Sequence, residues 1–294
     1  MQLLKDEITV GFIGTGVMGR EMVLRLLKIG YSVKVYNRTK SSAQSLLEAG
    51  AEWKDTVEAL AANTDVIITM VGYPRDVEEV YFSRGGILHF AKAGAYLIDM
   101  TTSSPDLAVK IGKEGASKGF RVMDAPVSGG DIGAREGRLS IMVGGEEADF
   151  AAVKPILDVL GQNIILQGPH GAGQHTKMCN QIAIASNMIG VSESISYAKR
   201  AGLDPDRVLK SITMGAAGSW SLSNLAPRMI EDDMEPGFYI KHFIKDMTIA
   251  LEEANRMGLS VPGLRLSKEI YTSLADEGYN DKGTQALVKF YDVK

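Results

Sequence analysis

The sequence predicts an α/β protein in two parts, a doubly wound N-terminal domain built on a parallel sheet and an all-helical C-terminal domain. Short apolar, β-like runs alternate with helix-like segments through the first half of the 294 residues. This order is typical of a parallel sheet covered by helices on both faces. From residue 173 onward helical periodicity replaces the alternation. A turn-rich stretch around Gly168 and Pro169 separates the two patterns, so we expect domains at residues 1–167 and 168–294.

The expected strands are short apolar runs without strict alternation, as in strands buried on both faces. In chain order they are residues 9–13, 33–36, 66–71, 96–100, 121–125, 139–143 and 164–167. Helices are expected at residues 18–29 and 41–49, which are followed by Gly30 and Gly50. Glycine ends helices well because it adopts the left-handed conformation readily.

The C-terminal part shows helical spacing of apolar residues. The clearest case is Met178, Ile182, Ala185 and Ile189. We find no convincing strand in this part, no internal repeat and no low-complexity segment. A run of βα units followed by a run of helices predicts a separate helical domain.

Composition limits the classes of function. The formal net charge of −4 gives no electrostatic reason to expect a nucleic-acid partner. Cys179 is the single cysteine, which excludes an intrachain disulfide and a cysteine-based metal site. The four histidines form no metal-like pair with carboxylates, so no metal is expected. The first seven residues have no basic region, and no apolar run approaches the ~20 residues that span a bilayer. We therefore expect a cytoplasmic protein without a membrane partner.

The first expected strand runs directly into a glycine motif. Residues 14–19 fit G-x-G-x-x-G and open an apolar-periodic helix, which is the context of a dinucleotide-binding Rossmann fold. Gly14 makes the tight turn, Gly16 allows close approach of a pyrophosphate, and Gly19 allows the helix to pack on the sheet. The expected cofactor contacts in this motif are Gly14, Thr15, Gly16, Val17 and Met18.

The end of the second expected strand indicates which dinucleotide binds. An acidic residue there would accept a hydrogen bond from the ribose 2′-hydroxyl of NAD. This chain has Asn37, Arg38 and Thr39 instead. A guanidinium would bind a 2′-phosphate through charge-assisted hydrogen bonds. NADP is therefore favoured, with NAD possible. The alternative is that Arg38 is only a solvated surface residue.

The sequence resembles the β-hydroxyacid dehydrogenase family over nearly its whole length. That family includes 3-hydroxyisobutyrate dehydrogenase, tartronate semialdehyde reductase and glyoxylate/succinic semialdehyde reductase. The resemblance rests on separated blocks at residues 10–19, 124–130 with Gly133 and Ala134, 173–180, and Lys245 with Asp246. It implies an NAD(P)-dependent oxidoreductase that transfers hydride reversibly between NADP(H) and a small carboxylate-bearing semialdehyde or hydroxy acid. It also implies a homo-oligomer, a dimer or a tetramer.

The resemblance further implies roles for residues at matching positions. Lys177 is the catalytic general acid and base. The residues implied to hold substrate are Ser128, Gly129, Gly130, Asn180 and Gln181. The residues implied to lie along the cofactor are Met70, Val71, Thr102 and Lys245. Asp246 and Phe238 are implied to lie close to the active site.

The residue types support two of these roles independently. Ser128, Gly129 and Gly130 can present backbone N–H groups and a hydroxyl to a carboxylate, although such a loop can also be an ordinary turn. Lys177 shares one helix face with residues three and four positions later. A lysine considered by itself is usually a solvated surface charge.

The chain also departs from the family. Many relatives carry Asn where this chain has Gln181, so the amide contact to substrate can shift or pass to Asn180. Strand three often ends in Leu-Pro in the family, whereas this chain has Val71 and Gly72. Trp220 either contacts substrate or packs in the core.

The alternatives are a non-catalytic NADP-binding sensor or interaction protein, and an imine reductase of the same fold. The lysine and the carboxylate loop count against the sensor, and Lys177 at the position of alcohol chemistry counts against the imine reductase. The sequence has no H-E-x-x-H, no G-x-S-x-G and no P-loop pattern. It therefore gives no support to a zinc protease, a nucleophile-elbow hydrolase or a P-loop NTPase.

Overall fold

The structure is a computed structural model that describes Leu3 and residues 5–292. Met1, Gln2 and Leu4, on which the expectation about the N-terminal segment partly rests, lie outside the described residues, as do residues 293 and 294. The chain divides into two compact units, Met1–Lys177 and Met178–Lys294. This division falls ten residues after the predicted domain boundary at 167/168, within a helix that is continuous across it.

The first unit is built on one nine-stranded sheet among its described residues. The strands are β1 (Thr9–Ile13), β2 (Ser32–Tyr36), β3 (Glu52–Trp53), β4 (Val66–Thr69), β5 (Tyr96–Asp99), β6 (Arg121–Asp124), β7 (Val127–Ser128), β8 (Leu139–Gly145) and β9 (Gly161–Gly168). Their spatial order is β3-β2-β1-β4-β5-β6-β8-β7, with β9 paired to β8.

The first six strands are all parallel, which confirms the doubly wound α/β prediction. The chain leaves β1 toward β2 and β3 on one side, then returns to pair β4 on the other side of β1. Open sheets of this kind bind ligands outside the carboxyl ends of their strands, at the point where the order reverses. The segments that follow β1, β2, β4 and β5 meet at this edge.

Helices of the first unit cover the sheet. They are α1 (Val17–Ile29), α2 (Gln44–Glu48), α3 (Val57–Ala61), α4 (Pro74–Phe82), α5 (Ile87–Phe90), α6 (Pro105–Ser117), α7 (Gly130–Glu136) and α8 (Glu147–Leu160), with a 3₁₀ turn at Lys40–Ala43. Gly30 ends α1 in the left-handed conformation with φ 97°, as predicted. Two clusters of buried apolar side chains form the core of this unit.

The structure corrects several predicted boundaries. The expected strands at 66–71, 96–100 and 121–125 each end one or two residues earlier, because the chain turns there into site loops. The expected helix at 41–49 is a 3₁₀ turn followed by the short α2. Strands β3 and β7 were not predicted, since two residues carry no periodicity. β8 runs antiparallel to β6 and β7, so the sheet is mixed beyond β6.

The second unit is helical, as predicted, and its described residues include no named strand. Its helices are the main part of α9 (Ala172–Arg200), then α10 (Pro205–Ile212), α11 (Trp220–Asn224), α12 (Ala226–Ile230), α13 (Ile240–Arg256), α14 (Pro262–Leu274) and α15 (Lys289–Asp292), with a π-helical turn at Ala275–Tyr279 and a 3₁₀ turn at Thr284–Val288. The predicted apolar stripe of α9 packs in a separate core cluster. Among the described residues, no helix is both long enough and apolar enough to cross a membrane.

Candidate active site

The glycine motif forms a close crossing of backbones at the end of β1. Gly14 has φ 100° and donates its N–H to the carbonyl of Tyr36 at 3.0 Å. A Cβ on Gly14 would collide with the carbonyl oxygen of Met70, and one on Gly19 would collide with the carbonyl oxygen of Gly14. Side chains at these two positions would therefore push α1 and the end of β4 away from β1.

The same motif leaves an open cradle at the start of α1. A Cβ on Gly16 would meet nothing within 4 Å. Gly16 is the extended N-cap of α1, and the first turn of this helix carries no acidic side chain. Free N–H groups and the helix dipole at such an end attract anions. Val17 is exposed and Met18 is half-buried at this end. The cradle fits the pyrophosphate of a dinucleotide.

The loop after β2 is tied to the glycine motif through polar side chains. Asn37 accepts from the Thr15 N–H at 3.3 Å and donates to the Ser42 hydroxyl at 2.7 Å. The Ser42 and Thr15 hydroxyls are 3.1 Å apart, and Ser42 donates to the Thr39 carbonyl at 2.7 Å. Sequence reasoning found Asn37 and Thr39 but missed Ser42, which lies in a serine-rich turn with no motif of its own.

Arg38 extends from this loop to the surface. Its side chain is 75% exposed, and its Nη1 lies 3.3 Å from Oδ1 of Asp76, whose side chain is 8% exposed. Asp76 also accepts from the N–H of Tyr73 at 3.0 Å, which caps α4. The guanidinium is therefore held by one fixed carboxylate while most of its donors face outward.

The loops after β4 and β5 support each other. Met70, Val71 and Thr102 are all half-buried. The Val71 N–H donates to the hydroxyl of Thr101 at 3.0 Å, which joins the two loops beside Gly14. Each of these predicted cofactor residues lies just past the carboxyl end of a parallel strand.

The predicted carboxylate loop leads from β7 into α7. Gly129 has φ 130° and Gly130 has φ 64°, conformations that favour glycine. Ser128 ends β7 and Gly130 begins α7. Successive N–H groups at such a turn converge on one point and can hold an anion.

Lys177 lies in the second turn of α9 and is only 6% exposed. Its ammonium Nζ donates to the carbonyl of Val127 at 2.8 Å. Val127 directly precedes Ser128, so the lysine Nζ and the carboxylate loop are held side by side within the first unit. A solvated surface lysine is thereby excluded.

Asp99 and Asp124 are buried acidic residues that occupy paired positions on the adjacent strands β5 and β6. Burial raises the pKa of Asp99 to about 6, partly offset by hydrogen bonds from the Thr69 hydroxyl and the Thr101 N–H. Burial also raises the pKa of Asp124. Neither was predicted as a site residue, although an acidic residue within an otherwise apolar, buried strand was the available signal.

The raised pKa of Asp99 predicts a pH effect on stability. Ionisation of Asp99 costs more free energy in the folded chain than in the unfolded chain, where the pKa of an aspartic acid side chain is about 3.9. The contribution of Asp99 is therefore complete below about pH 4 and is lost as pH rises through about 6. Asp99→Asn keeps an acceptor oxygen for both bonds but does not titrate. Urea unfolding should show wild type losing on the order of 2–3 kcal/mol relative to the variant between pH 4 and 7. A pH-independent difference would contradict this.

In the second unit, Gln181 links a buried polar chain. Its Nε2 donates to Oδ2 of Asp246 at 2.6 Å, and its Oε1 accepts from Asn180 Nδ2 at 2.6 Å. Lys245 Nζ lies 3.1 Å from Oδ1 of Asp246. A carboxylate can only accept, so it fixes the orientation of these hydrogen bonds: the Gln181 amide nitrogen donates to Asp246, and the Gln181 amide oxygen accepts from Asn180.

His242, Phe238 and Trp220 also belong to the second unit. His242 lies on α13 one turn before Asp246, and burial together with Lys245 lowers the pKa of its imidazole. Phe238 packs against Phe243 with ring centroids 5.7 Å apart. Trp220 is 67% exposed, which excludes its core-packing interpretation. Among the described residues no group of three or more His, Cys, Asp or Glu side chains is placed to hold a metal ion.

The glycine cradle and the loops around it define a protein of the NAD(P)-binding class. Residues 9–168 match the family model described as the NAD-binding domain of 6-phosphogluconate dehydrogenase. Residues 171–291 match the model described as NAD-binding of NADP-dependent 3-hydroxyisobutyrate dehydrogenase. The chain belongs to the β-hydroxyacid dehydrogenase family, which confirms the resemblance drawn from the sequence.

Individual relatives cover nearly the whole chain. An uncharacterized oxidoreductase of Bacillus subtilis is 61% identical over 96% of this chain and 98% of its own length. The 2-hydroxy-3-oxopropionate reductase of Escherichia coli is 39% identical over 97% of both chains. The solved 3-hydroxyisobutyrate dehydrogenase of Mycobacterium tuberculosis with L-serine has a TM-score of 0.88 at 28% identity, over 96% of this chain and 98% of that one.

Proposed function

We propose that the protein interconverts a small semialdehyde acid and the corresponding hydroxy acid with NADP(H), and that Lys177 is the general acid and base. One observation carries the proposal: the buried Lys177 ammonium is held 2.8 Å from the Val127 carbonyl, next to the Ser128–Gly130 turn. An anion-binding turn beside a proton donor is what a carboxylate-bearing carbonyl substrate requires.

The chain's own residues have separate tasks in this reaction. The N–H groups of Gly129 and Gly130 and the Ser128 hydroxyl bind the substrate carboxylate and so orient the carbonyl. Lys177 donates a proton to the carbonyl oxygen as an alkoxide develops, and takes the proton from the hydroxyl in the reverse direction. The nicotinamide supplies or accepts the hydride when bound.

The remaining cofactor contacts are proposed at the strand ends. Gly14, Thr15, Gly16, Val17 and Met18 surround the pyrophosphate. Met70, Val71 and Thr102 extend along the cofactor toward the nicotinamide, with Lys245 near the ring. Asn37, Arg38 and Thr39 surround the adenosine ribose.

Asn180 is proposed as the substrate contact of its pair, with Gln181 supporting it. The amide of Gln181 already joins Asp246 to Asn180. Asn180 is half-buried and lies three residues after Lys177 on α9, so the two side chains share a helix face. In this proposal Asn180 contacts the substrate, and Gln181, which stands where many relatives carry Asn, holds the Asn180 side chain in place instead of contacting the substrate itself.

Arg38 carries the expected preference for NADPH. Arg38→Ala should lower kcat/KM for NADPH far more than kcat/KM for NADH, because only NADPH has the 2′-phosphate that the guanidinium is proposed to bind. A lost charge-assisted contact of about 1.5–3 kcal/mol corresponds to roughly a 10- to 150-fold drop. The measurement is the ratio of kcat/KM for the two cofactors. Arg207→Ala, at another exposed arginine paired with an aspartate, should leave the ratio unchanged. An unchanged ratio in Arg38→Ala would refute the assignment.

The test of function is a panel of small aldehyde acids with NADPH consumption as the readout, alongside NADPH titration by calorimetry. Reduction of at least one member supports the enzyme. Tight NADPH binding without turnover of any aldehyde acid would favour the NADP-binding sensor. A second panel of small imines is run in the same assay, and turnover of imines alone would favour the imine reductase.

A further inference from the structure

The N-terminus of α9 is held by a carboxylate from a neighbouring strand. Oδ1 of Asp124 accepts from the Gly171 N–H at 2.7 Å, and Oδ2 accepts from the Gln174 N–H at 2.8 Å. Asp124 is 3% exposed. The first N–H groups of a helix have no partner within the helix, so this side chain acts as a cap supplied from β6. Both carboxylate oxygens are used.

Gln174 makes a second connection from the same turn. It is fully buried, its Nε2 donates to the Thr101 carbonyl at 2.7 Å, and its Oε1 accepts from the Ser103 N–H at 2.9 Å. These two bonds flank Thr102. The side chain thereby links the first turn of α9 to the loop after β5.

Gly173 allows the two connections to form. A Cβ there would collide with the Met142 carbonyl and would lie 2.7 Å from the Asp124 carbonyl oxygen and 2.8 Å from its Oδ2. The helix therefore starts in direct contact with the strand that carries its cap. Lys177 is three residues beyond Gln174, a rise of about 4.5 Å along the helix.

We propose that Asp124 and Gln174 are positioning residues for Lys177: Asp124 fixes the start of α9 against β6, and Gln174 fixes it against the Thr102 loop. The inference rests on the proposed role of Lys177. Together they set the distance between the Lys177 ammonium and the loop that is proposed to follow the cofactor. Misplacing a reacting group by about 1 Å can cost on the order of 10²-fold in rate.

Asp124→Asn tests the first connection. The asparagine keeps one acceptor oxygen but turns an NH₂ group toward one of the two N–H donors. We expect kcat for aldehyde reduction to fall about 10- to 100-fold, with the Kd for NADPH unchanged because the glycine cradle is untouched. The kinetic isotope effect on kcat with deuterated NADPH should rise, or stay at its full value if hydride transfer already limits the rate of the wild type. In the ligand-free variant, the Gln174 N–H should exchange with solvent faster.

Gln174→Met tests the second connection with a side chain of similar length that makes neither hydrogen bond. It should lower kcat and also weaken NADPH binding, since the Thr102 loop loses its support. The Kd for NADPH should therefore rise in Gln174→Met and stay unchanged in Asp124→Asn, and this difference distinguishes the two positions. Asp149→Asn is the control, because it weakens an ion pair to Arg121 on the same strand without touching α9. It should lower the melting temperature yet retain kcat.

The outcomes separate this inference from the proposed function. If wild type reduces an aldehyde acid and Asp124→Asn keeps its kcat, the positioning role is overturned while the function stands. The same holds if Asp149→Asn loses as much kcat as Asp124→Asn, since general destabilisation would then explain both. If wild type reduces none, the proposed function fails. Amide exchange then still tests whether Asp124 anchors the start of α9. Unchanged protection of the Gln174 N–H in Asp124→Asn would overturn that anchoring.

Discussion

Lys177→Ala should lower kcat by about 10²–10⁴-fold, the usual range for loss of a general acid or base. Removing the ammonium leaves the developing alkoxide without a proton donor. NADPH affinity should change little, because the glycine cradle and Arg38 are intact. The measurement is pre-steady-state hydride transfer together with NADPH titration. Wild-type hydride transfer in the variant would show that the catalytic assignment is wrong.

Further variants separate chemistry from stability at this position. The Val127 carbonyl loses its Lys177 donor in Lys177→Ala, which costs about 1–3 kcal/mol of folding free energy. Lys177→Met keeps the alkyl stem and should be equally inactive. Lys177→Arg should rescue poorly, because a guanidinium is larger and a very weak acid. Lys154→Ala, at a half-exposed lysine paired with Asp158, should keep full activity.

The fold could be predicted largely because the signals were local. Each short apolar run predicted as a strand overlaps an observed strand, and Gly30 ended its helix as expected. The prediction missed elements whose local structure depends on contacts with residues distant in the sequence. The two-residue strand β7 forms because Val127 and Ser128 pair with residues 140 and 141 of β8, and no periodicity in the sequence reveals that pairing.

The candidate site divides in the same way. Gly14 lies in a motif whose chemistry can be read from residue type and spacing, whereas the role of Lys177 was implied by the family resemblance. Asp124 and Gln174 were missed because their partners are 47 to 73 positions away in the chain. Their types indicate polar groups, but only the fold shows that they are buried and paired. Asp76, opposite Arg38, was missed for the same reason.

Removing the carboxylate from the substrate should have the second large effect. The turn at Ser128, Gly129 and Gly130 offers donors that a carboxylate satisfies and a methyl group cannot. A site built to hydrogen-bond a substrate group rejects analogues without it by about 10⁴–10⁵-fold. We therefore expect kcat/KM for a neutral aldehyde of matched length to be lower than for the semialdehyde acid by at least about 10³-fold. This figure is smaller because Gly129 is exposed and water can reach the turn.

Ser128→Ala tests whether this discrimination comes from the turn itself. Losing one hydroxyl donor to a charged group should cost about 1.5–3 kcal/mol with the acid substrate, and almost nothing with the neutral aldehyde. The gap between the two substrates should therefore narrow in this variant. Ser140→Ala is the matched control, since Ser140 pairs with Ser128 across β7 and β8 and should leave the gap intact. Equal turnover of semialdehyde and neutral aldehyde by wild type would refute the carboxylate site, because the donors of the turn would then be making no contact that distinguishes the two substrates.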